Sequence, residues 1–192
     1  MSSSSLALLD EEARRRLLAV AWESLHHGLA RGAPLRPDPA AFPEPLRAQR
    51  AAFVTLHHGE RLRGCIGHLE ACAPLVLDVA DNAFAAAFRD PRFPRLEPWE
   101  LEGLSLDISV LSPPEPMSFR DEADLLRQLR PGVDGLILTV GAARGTFLPS
   151  VWESLPAPRD FLTHLKGKAG LPGDYWSEAL RVARYHTESF GG

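Results

Sequence analysis

A chain of 192 residues, 45% hydrophobic and 24% charged, is long enough to bury a substantial core and has an ordinary globular composition, which excludes extended disorder. A net charge of −4 with scattered arginines argues against a nucleic-acid partner, and no stretch approaches 18 uncharged apolar residues, so no membrane span is expected. Two cysteines, Cys65 and Cys72, supply no disulfide framework and fit a reducing cytosol; the opening Met1 to Ser5 lacks a basic and apolar leader pattern, so the chain is expected to be cytoplasmic.

Residues 1–9 are expected to form a flexible N-terminus. Asp10 then caps a helix running to about Leu29, in which Ala13, Leu17, Ala21 and Leu25 stack at i, i+4 while Arg14, Arg15 and Arg16 cover the wet side; Gly32 ends it. Five prolines between Ala33 and Pro45 exclude helix and central strand, so residues 33–50 are expected to be an extended crossing segment. Phe53 to His57 and Leu62 to Leu69 read as strands of a hairpin around His58-Gly59-Glu60. Pro74 suits the first turn of a helix whose Val76, Val79, Ala80, Ala83, Ala87 and Phe88 recur at three and four, closed by Asp90-Pro91.

After an Arg92 to Arg95 loop, Leu104, Leu106, Ile108 and Val110 alternate with Ser105, Asp107 and Ser109 in a strand with one wet face. A short helix with an acidic start covers about Asp121 to Leu129 and stops at Pro131-Gly132. Leu136 to Val140 is a strand, Gly141 to Gly145 a turn, Thr146 to Leu148 the returning strand, and Pro158 to Ala169 a helix ended by Gly170. A last strand is expected from Leu180 to Thr187. The order strand, Gly turn, Arg-Gly, strand, helix thus occurs twice, with Arg63-Gly64-Cys65-Ile66 and Arg144-Gly145-Thr146-Phe147 in equivalent places. The expected class is α+β, a mixed or antiparallel sheet from two hairpin-plus-helix units.

The richest chemistry lies in Leu62-Arg63-Gly64-Cys65-Ile66-Gly67. Strand alternation puts Arg63 and Cys65 on one face, and a fixed cation beside a thiol favours thiolate. Gly64 and Gly67 carry no Cβ, so the backbone can accept positive φ or let another chain or a ligand come close. The opposing reading of Cys65 is a small apolar filler beneath the hairpin. A catalytic thiol also needs a base: a two-residue Gly59-Glu60 turn would put His58 on the Cys65 face, a three-residue turn would present His57, and His68 alternates onto the other face. Arg89-Asp90-Pro91-Arg92-Phe93-Pro94 reads first as a capping and ion-pairing loop whose Arg89 and Arg92 are also candidate ligand contacts. Arg144-Gly145-Thr146 offers a guanidinium and a hydroxyl to an anion. Cys65, Cys72, His68 and a histidine of the 57–58 pair do not have zinc-site spacing, so no metal is expected. The common nucleotide, hydrolase and protease motifs are missing from the sequence.

Leu62-Arg63-Gly64-Cys65-Ile66-Gly67, Ala87 to Pro94, Leu111-Ser112-Pro113-Pro114-Glu115, Pro131 to Leu136, Arg144 to Pro149 and Arg184 to Phe190, in that order, resemble the AMMECR domain family, over about Leu9 to Phe190. The resemblance implies a two-lobed α+β domain spanning residues 1–192, with the Leu-Arg-Gly-Cys-Ile-Gly motif near a cleft between lobes and no settled molecular activity. Bacterial and archaeal relatives are similar to component A of the AmmeMemoRadiSam system, which implies Memo-like and radical-SAM partner proteins. The resemblance also implies that many relatives carry a cysteine in the segment matching His164 to Gly170, where this chain has Lys166, so a two-cysteine mechanism using that position is not expected here.

The expectation is a ligand-binding accessory component without a cofactor. It would hold a small anionic ligand or a peptide around Arg63, Gly64, Cys65, Gly67, Arg89, Arg92, Arg144 and Thr146. The alternative is a cysteine-dependent transferase or hydrolase with Cys65 as nucleophile and His58 or His57 as base.

Overall fold

Asp10 sets the first element. In the computed structural model, which describes residues 9–192, its carboxylate accepts the Ala13 N–H at 2.7 Å and opens helix α1, Glu11–Arg31. Gly32 closes the helix in the left-handed region, and Ala13, Leu17, Ala21 and Leu25 are buried as the periodicity requires. Residues 1–8, expected to be flexible, lie outside the described residues; Leu9, placed with them by the sequence, is buried with its N–H on both carboxylate oxygens of Glu188.

The chain divides into two compact units, the first formed by the chain up to Leu111 with Glu188–Gly192, the second by Ser112–Thr187. The first contains α1, α2 (Glu44–Arg47), β1 (Ala52–His58), β2 (Arg61–Gly67), α3 (Leu75–Phe88) and β3 (Leu104–Leu111). The second contains β4 (Glu115–Pro116), α4 (Glu122–Gln128), β5 (Gly135–Val140), β6 (Ala143–Phe147), α5 (Pro158–Lys168) and β7 (Arg181–Tyr185); β8 (Thr187–Gly191) follows. The proline-rich stretch is not wholly extended: Asp38 caps a 3-10 turn at Pro39–Ala41, and Pro43 precedes α2. Proline suits the first turn of a helix because its missing N–H is not needed there.

The sheets run β2-β1-β3-β8 and β4-β7-β5-β6. Each is built on an antiparallel hairpin, β1–β2 or β5–β6, and β1–β3 and β5–β7 are antiparallel too. The expected strand Leu180 to Thr187 is two strands, broken at His186 and assigned to different sheets. β7 stays beside β5, whereas β8 joins β3; conversely β4, which follows β3 in sequence, joins β7. The C-terminal strand β8 thus completes the sheet built on the first hairpin, while β4 and β7 complete the sheet built on the second.

In the first unit α1 and α3 cover one sheet face, where Val54, Leu56, Leu106 and Ile108 are fully buried. Each such side chain contributes roughly 2 kcal/mol. In the second, Leu136, Leu138 and Val182 pack on Phe161 and Leu165 of α5, and Trp152 stacks on Phe161 with ring centres 3.8 Å apart. No described helix is long and apolar enough to cross a membrane.

Candidate functional site

A register shift places the thiol. Gly59, at φ +62, and Glu60 form a two-residue turn that pairs His58 with Arg61 and His57 with Leu62. Leu56 then pairs with Gly64, leaving Arg63 as the extra residue of a β-bulge. The bulge sets Cys65 opposite Thr55, with Sγ 3.2 Å from Thr55 Oγ1. Without it the same turn would put Cys65 opposite Val54, on the His58 face. The expected His58–Cys65 pairing is therefore corrected: the two lie on opposite faces, and His58 Nε2 sits 3.1 Å from the Glu102 carbonyl. His57 shares the Cys65 face, but its Nδ1 is turned to Asp107 Oδ2 at 3.4 Å. Thr55 also pairs with Asp107, so Cys65, Thr55 and Asp107 form one polar row across three strands on the half-buried face opposite α3.

β2 is an outer strand, and side chains cover its edge at Cys65. The Cys65 N–H donates to Asp90 Oδ2 at 3.0 Å, while Arg92 Nη2 donates to the Cys65 carbonyl at 3.4 Å and to Asp90 Oδ2 at 2.7 Å. Arg92 Nε and its backbone N–H both reach Asp90 Oδ1. The guanidinium bonded to the buried Asp90 carboxyl, helped by the Cys65 and Arg92 N–H groups, holds it well below the usual carboxylate range. The expected ion-pairing loop is present, and its partner is the backbone of the motif itself.

Arg63 does not act as a free cation beside the thiol. Its Nε and Nη2 donate to the two Glu100 oxygens at 2.6 and 3.0 Å, and Nη2 also reaches the Pro94 carbonyl. Both side chains are about nine-tenths buried, and the bonded guanidinium holds the Glu100 carboxyl below its ordinary range. The glycines also serve the fold. A Cβ on Gly64 would fall 2.1 Å from the Ala86 carbonyl oxygen of α3, and one on Gly67 would fall 2.3 Å from the Phe53 ring. Neither glycine has a positive φ, and the space beside them is taken by α3 and an aromatic side chain of this chain instead of by another chain or a ligand. Arg89 is exposed and lies over the Phe84 ring at 4.9 Å.

The second hairpin repeats this construction. A Cβ on Gly145 would lie 2.9 Å from both the Leu165 carbonyl oxygen and the Ala169 nitrogen at the end of α5. Its turn is Gly141-Ala142, tighter than the expected 141–145, because Val140 already pairs with Ala143. Arg144 is exposed, and the Thr146 hydroxyl donates to the Leu136 carbonyl at 2.9 Å.

On the α3 side, His68 Nδ1 lies 2.7 Å from Asp78 Oδ1, and Asp78 Oδ2 accepts from Ala52 N–H and Asn82 Nδ2. Burial is the largest influence on Asp78 and raises its pKa against these hydrogen bonds. His68 and Cys65 thus belong to opposite faces, as alternation predicts. Thr55, Asp90 and Glu100 were missed as site residues. Asp90 had a signal in its Arg-flanked tract, whereas Glu100 reaches Arg63 across 37 residues and Thr55 depends on the bulge.

The profile of the AMMECR1 family matches residues 18–190, which include both hairpins. The chain belongs to the AMMECR1 family. A protein from Methanothermobacter thermautotrophicus is 38% identical over 190 residues, covering 96% of each chain. One from Thermotoga maritima is 37% identical over 161 residues, with 83% of this chain and 87% of that protein covered. Among solved structures, the crystal structure of an uncharacterized protein from Pyrococcus horikoshii is similar at a TM-score of 0.83 and 33% identity, covering 95% of this chain and 93% of that one. The bulge, the Asp90–Arg92 clamp and the Arg63–Glu100 pair therefore lie inside the AMMECR1 match.

Proposed function

We propose that this AMMECR1 chain is a binding component whose ligand, a small anion or a peptide segment, is held at the Cys65 edge of β2 and on the polar row beside it. The observation that carries this reading is the hydrogen-bond pattern around Cys65. The thiol faces the Thr55 hydroxyl, and among the described residues no histidine is hydrogen-bonded to it. Its strand is clamped through both backbone polar groups by Asp90 and Arg92. Such a site is preorganised for recognition but lacks the positioned base that nucleophilic catalysis requires. Arg92 is ion-paired to the buried Asp90, yet its side chain is 55% exposed, so the outer edge of its guanidinium can meet an anion.

The partner proteins belong to the same proposal: a Memo-like and a radical-SAM protein dock beside this edge. Trp99, next to Glu100 and 75% exposed, is a large apolar anchor of the kind that dominates interfaces. The test is co-purification of the chain with both proteins from one genome, using wild type, Trp99→Ala and Cys65→Ser. Binding that survives Cys65→Ser and drops at least tenfold with Trp99→Ala is expected. Loss of a covalent adduct or turnover with Cys65→Ser, with binding intact, would instead establish the cysteine-enzyme alternative.

A further inference from the structure

The second unit carries a pocket of about 340 Å³, remote in sequence from the Cys65 motif. It is lined by Met117, Phe119 and Arg120 after β4, and by Trp176, Glu178 and Arg181 before and at the start of β7. Its volume falls within the range of small-molecule sites, which combine apolar walls with a few placed polar groups. The walls fit that description: the Phe119 and Trp176 rings are 5.7 Å apart and inclined at 60°, and both pack on the unit's core.

Two features show a fixed arrangement. Lys166, fully buried, sits 5.7 Å from the centre of the Trp176 ring while its Nζ bonds Glu122 and the Gly173 carbonyl, so one ring face is held by an anchored cation. Arg181 is anchored as well. Its Nη1 donates to the carbonyls of Glu178 and Leu180 at 2.8 and 3.1 Å, which fixes the guanidinium without neutralising it. Among the described residues no carboxylate pairs with Arg181, whereas Arg120 is matched by Asp124 at 3.5 Å. Glu178 lines the rim with the opposite charge and forms no ion pair among the described residues.

We propose that this pocket binds a small planar aromatic anion, with its ring in the Phe119–Trp176 corner and its carboxylate or phosphate on Arg181. An inclined ring pair accepts a third ring edge-on or offset, and an immobilised guanidinium binds planar oxyanions at low entropic cost. The site lies within the second unit and adds a second binding function to the chain.

The test is ligand-observed NMR and calorimetry on the full chain with phenyl phosphate and 4-hydroxyphenylacetate. The controls are the neutral 4-hydroxyphenethyl alcohol and the ringless inorganic phosphate and acetate. Both aromatic anions are expected to bind, with the neutral ring and the ringless anions at least tenfold weaker. Arg181→Met and Trp176→Leu should each weaken phenyl phosphate at least tenfold, Glu178→Gln should tighten it several-fold, and Val133→Ala, at an exposed position outside the pocket lining, should change nothing. If Trp176→Leu fails to fold, shifts of the Trp176 indole N–H on titrating wild type carry the assignment. Equal binding of neutral and anionic rings, no aromatic binding at millimolar concentration, or shifts elsewhere than Trp176 and Phe119 would overturn it.

Discussion

Gly64→Ala tests whether the motif glycine is a packing requirement. The added Cβ would meet the Ala86 carbonyl oxygen at 2.1 Å, the Ala86 carbonyl carbon at 2.9 Å and its Cα at 3.5 Å, all backbone atoms of α3. A relaxed carbon–oxygen contact is about 3.2 Å, so strand and helix must part by about 1 Å, across a closely packed core. Overpacking of this kind costs about 3 kcal/mol, and for a chain of this size each kcal/mol moves Tm by about 2–4 °C, giving a drop of roughly 6–12 °C. Gly59→Ala in the same hairpin is the control. It has nothing within 4 Å but sits at φ +62, so only the left-handed penalty of about 1–2 kcal/mol applies. Because the clash is with a carbonyl, Ala86→Gly should not rescue Gly64→Ala. Thermal and urea unfolding by circular dichroism measure all three variants. A Gly64→Ala protein no less stable than Gly59→Ala, or one rescued by Ala86→Gly, would refute the packing argument.

Glu100→Gln leaves the Arg63 guanidinium buried without its counter-charge and should cost about 3–5 kcal/mol in urea melts, while joint replacement of both residues by Met and Leu should recover most of that loss. The depressed carboxyls of Asp90 and Glu100 contribute stability that is present above their unfolded values and lost as pH falls through the folded ones. Acid unfolding below about pH 4 should therefore lose slope in Asp90→Asn and Glu100→Gln. Asp78 has the opposite sign, since its raised folded value makes ionisation cost stability; Asp78→Asn should flatten the decline as pH rises through that value. Exposed Cys72 should alkylate in the native state well before half-buried Cys65, as read by mass spectrometry, and Cys65 labelling as fast as Cys72 would contradict its environment against Thr55. Asp10→Ala removes the α1 cap and should cost about 1 kcal/mol.

Much of the fold was determined by the sequence itself, because it depends on neighbours in the chain. Asp10 and Gly32 bound α1, the alternation from Leu104 to Val110 marks the wet face of β3, and Asp121 opens α4 through its bond to Asp124 N–H. Each rests on a local hydrogen bond or on the fixed period of a helix or strand. The two Arg-Gly hairpins were legible for the same reason, as was an ion-pairing role for Asp90 and Arg92.

Only the tertiary structure decided which groups meet Cys65. One bulged residue moves every side chain beyond it to the other face, so turn length alone selected His58 where the fold presents Thr55. Glu100 sits in a 3-10 turn at Pro98–Leu101 whose local capping with Glu97 says nothing of Arg63, which it meets only across 37 residues. The break at His186 was hidden because β7 and β8 have similar strand character, and their separation into two sheets is a matter of pairing partner. Periodicity reports which residues want burial; it does not report against what.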